Sequence, residues 1–330
     1  MMCNTAIVLG KELSNYTFGE KHPFNSHRLD AFGSKITRSQ DTGANNLKVI
    51  SPVMADEGVL SYFHDKDYIN FVKKSSMEGI GYLDSGDTPS FKGVFDASMY
   101  VVGSTLLALD TVINNTDGII HAFNPIGGLH HARRNAAGGF CVFNDIGVAI
   151  MYARKRYDLR KILYVDIDAH HGDGVYYEFE QDPDLFIADI HEDGSYLYPG
   201  TGFESEVGSG AGAGTKLNLS LPPGATDSDF ISAFMKIENI IESMSFELII
   251  LQCGADGLSG DPLTHLKYTY RSHEYAARFL HNFAHENSRC RFIGLGGGGY
   301  NTQNVAIAWT RVVEVFASDF QPEKNKSRNF

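Results

Sequence analysis

The chain is poor in the residues from which a disulfide-knit or thiolate-metal protein is built. Of 330 residues only four are cysteines, Cys3, Cys141, Cys253 and Cys290, far apart and without a C-x-x-C pair. A disulfide framework or a thiolate zinc cluster is therefore not expected, and reduced thiols in a cytoplasm fit better. Positive charge is also short. Lys and Arg number 28 against 40 Asp and Glu, a net charge of −12. Such a balance argues against direct nucleic-acid binding through the phosphates. It suits a protein whose acidic mouth attracts a basic substrate such as a lysine-rich segment. Long apolar runs are missing as well: Thr5–Leu9 is only strand-sized and follows no basic segment. Neither a signal peptide nor a membrane span is expected. No Pro/Ser-rich linker and no fixed repeat interrupts the chain, so a single domain over 1–330 is expected, with a polar tail from about 319 to 330. With 43% hydrophobic residues and a mean hydropathy of −0.19, there is ample material for a buried core.

What is present is a series of short apolar runs, each bounded by polar residues or glycine. Ala6–Leu9, Gly118–Ala122, Ile162–Val165, Phe186–Ile190, Leu248–Leu251 and Phe292–Leu295 are apolar without alternation. Parallel strands covered on both faces have that pattern. Between them Asp96–Asn114, Asp145–Tyr157, Asp227–Ser243 and Arg271–His285 carry apolar residues at helical spacing. The alternation predicts an α/β fold with a mainly parallel sheet between helical layers.

Ligands of such sheets bind beyond the carboxyl ends of the strands. Five successive strand ends here carry His, Asp or Tyr beside small residues: Gly127-Gly128-Leu129-His130-His131, Asp166–Asp173, His191, Gly254-Ala255-Asp256 and Gly296–Tyr300. Any one of these could be a helix cap or a satisfied core residue. Five together predict an active-site rim. Asp166, Asp168 and His170 are spaced by two, which sends side chains to one side of an extended segment. Asp168 and His170, completed by Asp256, supply two carboxylates and an imidazole, and leave positions open for water and substrate, as a catalytic zinc requires. The adjacent His130 and His131 are badly placed to share one metal and read as an acid/base pair. Asp166 and Asp173 are left over to orient them. The glycine run brings backbone close to a ligand and sets Tyr300 at the head of a helix, where its phenol can donate to a developing oxyanion.

Two glycine-rich segments invite a rival reading. Gly294–Gly299 satisfies G-x-G-x-x-G between a strand and a helix, but no second strand follows that helix before the chain turns polar, so a dinucleotide site is excluded. Gly208–Gly214 leads into the strand-like Lys216–Leu221 and not into a helix, which makes it a loop. There is no G-x-S-x-G elbow.

With these residues in view, the sequence resembles the histone deacetylase superfamily, which includes acetoin-utilisation proteins and acetylpolyamine amidohydrolases. The resemblance runs from about Tyr16 to Phe316 through Gly127–Asp145 (GGLHHARRNAAGGFCVFND), Tyr164–Gly174 (YVDIDAHHGDG), Gln252–Pro262 (QCGADGLSGDP) and Gly294–Asn301 (GLGGGGYN). It implies an arginase/deacetylase-like fold with an eight-stranded sheet, and a catalytic zinc on Asp168, His170 and Asp256. It further implies His130 and His131 as the histidine pair with Asp166 and Asp173 behind them, and Tyr300 as the oxyanion tyrosine. Gly139, Phe140 and Tyr198 match positions walling a narrow acyl-lysine tunnel, and Asp87 resembles the rim aspartate that grips the substrate backbone. Family members also bind potassium or sodium beside the zinc. Here that site would use Asp166, Asp168, His170 and Asp189, the last standing where many eukaryotic members carry serine. His22–Asn25 and His191–Gly200 are closer to prokaryotic members. Leu263 occupies the place of an acidic gatekeeper in the polyamine-specific type, which favours acetyl-lysine in a protein or peptide as substrate.

The expected chemistry is metal-assisted amide hydrolysis, with His131 as the main base and acid and Tyr300 holding the oxyanion. The alternatives are an acetylpolyamine amidohydrolase and, in another class, an inactive acetyl-lysine binding protein.

Overall fold

The computed structural model describes residues 3–41 and 46–320; the expected polar tail from 321 onward lies outside the described residues. Eight strands form one all-parallel sheet: β1 (Asn4–Val8), β2 (Leu47–Ile50), β3 (Ile119–Asn124), β4 (Ile162–Asp166), β5 (Leu185–Glu192), β6 (Lys216–Leu221), β7 (Leu248–Gln252) and β8 (Phe292–Leu295). Their spatial order is β2-β1-β3-β8-β7-β4-β5-β6. The helices are α1 (His27–Asp41), α2 (Lys66–Glu78), α3 (Val94–Ile113), α4 (Asp145–Tyr157), α5 (Asp173–Tyr176), α6 (Asp227–Ile241), α7 (Tyr270–Asn287) and α8 (Thr302–Phe316).

The continuous apolarity of the strands has its cause in two cores. Along β4, Ile162 and Tyr164 face one side with α3 and α4, while Leu163 and Val165 face the other with α6, α7 and α8. Along β7, Leu248 and Ile250 divide from Ile249 and Leu251 in the same way. Burial on both faces leaves no polar side to alternate with. Among the described residues one helix, α3, is long and apolar enough to cross a membrane, and 72% of its apolar window is buried inside the fold.

Several helices start on side-chain caps. The Asn144 side chain accepts from Gly147 N–H at the head of α4, and that of Asn301 accepts from the N–H groups of Gln303 and Asn304 at the head of α8. Such caps satisfy donors that the helix leaves over. They also fix the loops that precede each helix, which here are the loops at the carboxyl edge of the sheet.

Candidate metal and acid-base centre

β4 and β7 are neighbours in register, Asp166 beside Gln252, so the segments leaving their carboxyl ends lie side by side. These segments carry Asp168, His170 and Asp256. The three are buried, and their ligand atoms all lie within 4.8 Å of one another. His170 Nδ1 is 3.1 Å from Asp168 Oδ1 and 2.9 Å from Asp256 Oδ2. The opposite oxygens are tied back. Asp168 Oδ2 accepts from Gly298 N–H and the Gln252 amide, both at 2.8 Å, and Asp256 Oδ1 accepts from Ala169 N–H at 2.8 Å. One oxygen of each carboxylate is thereby aimed at one imidazole nitrogen. Burial and then the Asp168 charge raise Asp256 to about 7, a repulsion that a divalent cation would relieve. Two oxygens and one nitrogen at this spacing fit zinc with an open position.

The packing around these ligands leaves no room for side chains. A Cβ on Gly254 would fall 2.0 Å from Asp168 Oδ2, and one on Gly298 2.2 Å from Asp256 Oδ2. Glycine at these two positions is a matter of close approach.

His130 and His131 sit on the loop after β3. Each gives its Nδ1 to a carboxylate: His130 to Asp166 at 2.8 Å and His131 to Asp173 at 2.7 Å. That leaves the two Nε2 atoms, 3.1 Å apart, in a narrow pocket with Asp168, His170 and Tyr300. Burial opposes charge on His130, but Asp166 and Asp168 outweigh it and raise it to about 10. Burial and the neighbouring His130 lower His131 to about 4. Burial likewise opposes charge on Asp173, but His131 and Arg133 outweigh it and hold it at about 2. The two shifts run in opposite directions and favour charge on His130 over His131, an arrangement suited to a donor beside a base.

Tyr300 enters the pocket from the head of α8. Its N–H donates to Asp261 Oδ2 at 2.7 Å, and burial, then Asp256 and Asp168, hold its phenol well above the usual range. The phenol therefore stays a neutral donor. Its ring packs edge-on to Phe140 at 5.7 Å. Tyr198, half exposed, sets its ring against His131 at 5.1 Å and His170 at 6.4 Å. Gly139 lines the pocket directly against the His131 ring. Phe140 has φ +68, a conformation costly for a bulky side chain, by about 1–3 kcal/mol. It is held there by its N–H on Thr88 Oγ1 (3.0 Å) and the Tyr16 hydroxyl on its carbonyl (2.7 Å). Asp87 stands at the exposed rim beside that same Thr88, which donates to its carboxylate at 3.2 Å. Leu263 is half buried, its N–H on Asp261 Oδ1. Asp189 lies beside Asp166 in the sheet, with one oxygen on His191 at 2.7 Å and the other accepting from Gly172 N–H at 2.9 Å.

Three supporting residues escaped the sequence reading. Arg28 of α1 is buried and donates to the carbonyls of Gly297, Gly298 (3.1 Å) and Gly299 (2.7 Å). Asp145 at the start of α4 accepts from Gly128 and Leu129 N–H and from Thr105, which shapes the loop before the histidine pair. Asp261 pins both Tyr300 and Leu263. A larger depression of about 560 Å³, lined by Asp65, Tyr68, Phe71 and Asn135, gathers no comparable set of groups.

A family model described as "Histone deacetylase domain" matches residues 22–316. This chain belongs to the histone deacetylase family. It is 39% identical to the acetoin utilization protein AcuC of Bacillus subtilis (strain 168) over 322 residues, covering 94% of this chain and 81% of that one. With the AcuC of Staphylococcus xylosus it shares 34% identity over 94% of this chain and 82% of the relative. Among solved structures it is similar to the HDA15 HD domain, with a TM-score of 0.84 and 26% identity over 95% of this chain and 91% of that one. The expected family and the arginase/deacetylase-like α/β fold are thus both shown, and the eight-stranded sheet, expected to be mainly parallel, is parallel throughout.

Proposed function

We propose that this deacetylase-family chain is a zinc-dependent hydrolase of the acetyl amide of acetyl-lysine in proteins or peptides. The observation that carries the reading is the convergence in one buried pocket of a metal-fitting triad, a carboxylate-backed histidine pair and a neutral tyrosine phenol. A zinc ion on Asp168, His170 and Asp256 would polarise the amide carbonyl and make water at the site more acidic. His131, neutral and oriented by Asp173, takes the proton from the attacking water at Nε2 and returns it to the leaving amine. His130, charged against Asp166, steadies the developing negative charge from the other side. Tyr300 donates its O–H to the oxyanion. Phe140 and Tyr198 bracket the entrance as apolar walls for the four-carbon lysine stem, and Asp87 accepts from the peptide N–H groups at the rim. A monovalent ion near Asp166 and Asp189, which family resemblance suggests, would further balance this acidic core.

Leu263 favours acetyl-lysine over a polyamine, because from that position a distal ammonium gains no carboxylate. A hydrogen bond to a charged group contributes about 1.5–3 kcal/mol. The decisive experiment assays the purified enzyme on an acetyl-lysine peptide and on acetylputrescine side by side. Higher kcat/KM on the peptide is expected, with the gap narrowed by Leu263→Glu, and with loss of the triad's ion and of turnover in Asp168→Ala. A tenfold preference for the polyamine would reassign the substrate and leave the chemistry standing. Absence of turnover on either, with the acetylated peptide still bound, would make the chain an acetyl-lysine binding protein.

A further inference from the structure

A second group of metal-ligating side chains lies at the other end of the sheet. Cys3 precedes β1, His121 is the third residue of β3, and His281 and His285 lie one turn apart on α7. Their ligand atoms all fall within 4.8 Å of one another. The catalytic residues follow the carboxyl ends of the strands, whereas Cys3 stands before an amino end, so the two groups share no residue.

Three imidazoles meet here almost in contact. His121 and His281 have ring centroids 4.9 Å apart, His281 and His285 4.7 Å, and His121 and His285 5.3 Å. His121 is fully buried, and its Nδ1 donates to the Phe316 carbonyl at 2.8 Å. That bond fixes the tautomer and leaves the Nε2 lone pair without a hydrogen-bond partner. His281 is 1% exposed, and its Nε2 is likewise without one. His285 Nε2 meets Cys3 Sγ at 3.3 Å, and its Nδ1 meets Cys290 Sγ at 3.2 Å. Buried polar atoms are nearly always satisfied, and two ring nitrogens without a partner in one knot of rings ask for a shared one. A backbone carbonyl behind the ring nitrogen is also the usual support of a histidine metal ligand.

We propose that Cys3, His121, His281 and His285 form a second metal site, a closed thiolate–imidazole centre for zinc(II). One sulfur and three nitrogens suit zinc in a structural tetrahedron, whose ligand atoms stand about 3.5 Å apart. Reaching that from the present spacing takes side-chain movements of about an ångström. With four protein ligands the site leaves no open position, so its role is to staple the start of β1 and the middle of β3 to the last turns of α7. The low cysteine count masked it, because three of its four ligands are histidines with no motif spacing beyond His281 and His285.

The test uses full-length protein and cobalt(II) as probe. The catalytic triad contains no sulfur, so only the second site can give a thiolate-to-cobalt charge-transfer band. We expect the band in wild type and in Asp168→Ala, which isolates the second site, and its loss in Cys3→Ser. Zinc content should be two per chain in wild type, and one in each of Asp168→Ala and Cys3→Ser, the latter with unchanged kcat. His281→Asn should match Cys3→Ser and covers a folding defect specific to either variant. No band and no zinc in folded Asp168→Ala would overturn the proposal. A band surviving in Cys3→Ser would remove Cys3 from the ligand set.

Discussion

The residues that the structure gathers in the pocket were legible because they follow strand ends rich in small residues. Asp168, His170 and Asp256 could be grouped from that position alone, and the structure brings them within 4.8 Å. Asp166 and Asp173 were likewise accessible as partners of the histidine pair, since few carboxylates were left over at those ends. Which serves which comes only from the structure, His130 with Asp166 and His131 with Asp173. Arg28 and Asp261 were not. Arg28 is a lone arginine in a polar stretch, and its partners lie some 270 residues away in sequence, so nothing local marks it. At this scale the sharpest prediction concerns Tyr300. Its phenol stays protonated, and in the proposed reaction it acts only when charge develops on the carbonyl oxygen. Tyr300→Phe keeps the ring contact with Phe140 and removes only the donor. We expect kcat to fall by about 10²- to 10³-fold with KM changed by no more than a few-fold, read from steady-state kinetics. Near-normal kcat would take Tyr300 out of the reaction.

The elements were legible in proportion to how completely they are buried. β6 and β8 match the segments read as strands, Lys216–Leu221 and Phe292–Leu295, and the other read strands differ at their ends. β2 was missed because it is an edge strand of four residues, two of them exposed, too short and too mixed for a pattern. α1 and α2 were missed for a different reason. Their buried residues, Leu29, Phe32 and Ile36 in the first and Tyr68, Ile69 and Val72 in the second, do recur at helical spacing, but polar residues dilute them. α1 matters to the site because it carries Arg28 to the carbonyls of the glycine run before Tyr300. Arg28→Met keeps the bulk and removes every donor, leaving the loop free to relax. Small misplacements of a reacting group can cost up to about 10²-fold. We expect kcat to drop by about 10- to 100-fold and thermal stability to fall, with Arg28→Lys recovering part of each. A Met variant with wild-type kcat and melting temperature would show that α1 does not hold the loop.

At the scale of the whole molecule the dominant fact is the net charge of −12, and the question is whether the mouth uses it. Asp84 and Asp87 lie at the rim, close enough for their charges to act on the Tyr198 phenol. Burial, opposed by hydrogen bonds from Asp87 and Thr88, leaves Asp84 at about 2, so it is charged throughout the working range. Burial and then Asp84 raise Asp87 to about 6. Asp87 is therefore mostly neutral below that pH and mostly charged above it. An acetyl-lysine peptide flanked by lysine or arginine would meet one rim charge at pH 5 and two at pH 7.5. Its KM should accordingly fall as pH rises through about 6, a step that Asp87→Asn removes. Long-range attraction adds a salt dependence, since the screening length shrinks from about 10 Å at 0.1 M to about 3 Å at 1 M. Across that range kcat/KM for the cationic peptide should drop several-fold while kcat holds, and a peptide with neutral flanks should show little slope. Equal slopes for the two peptides would mean that the surface charge serves solubility and plays no part in drawing substrate to the pocket.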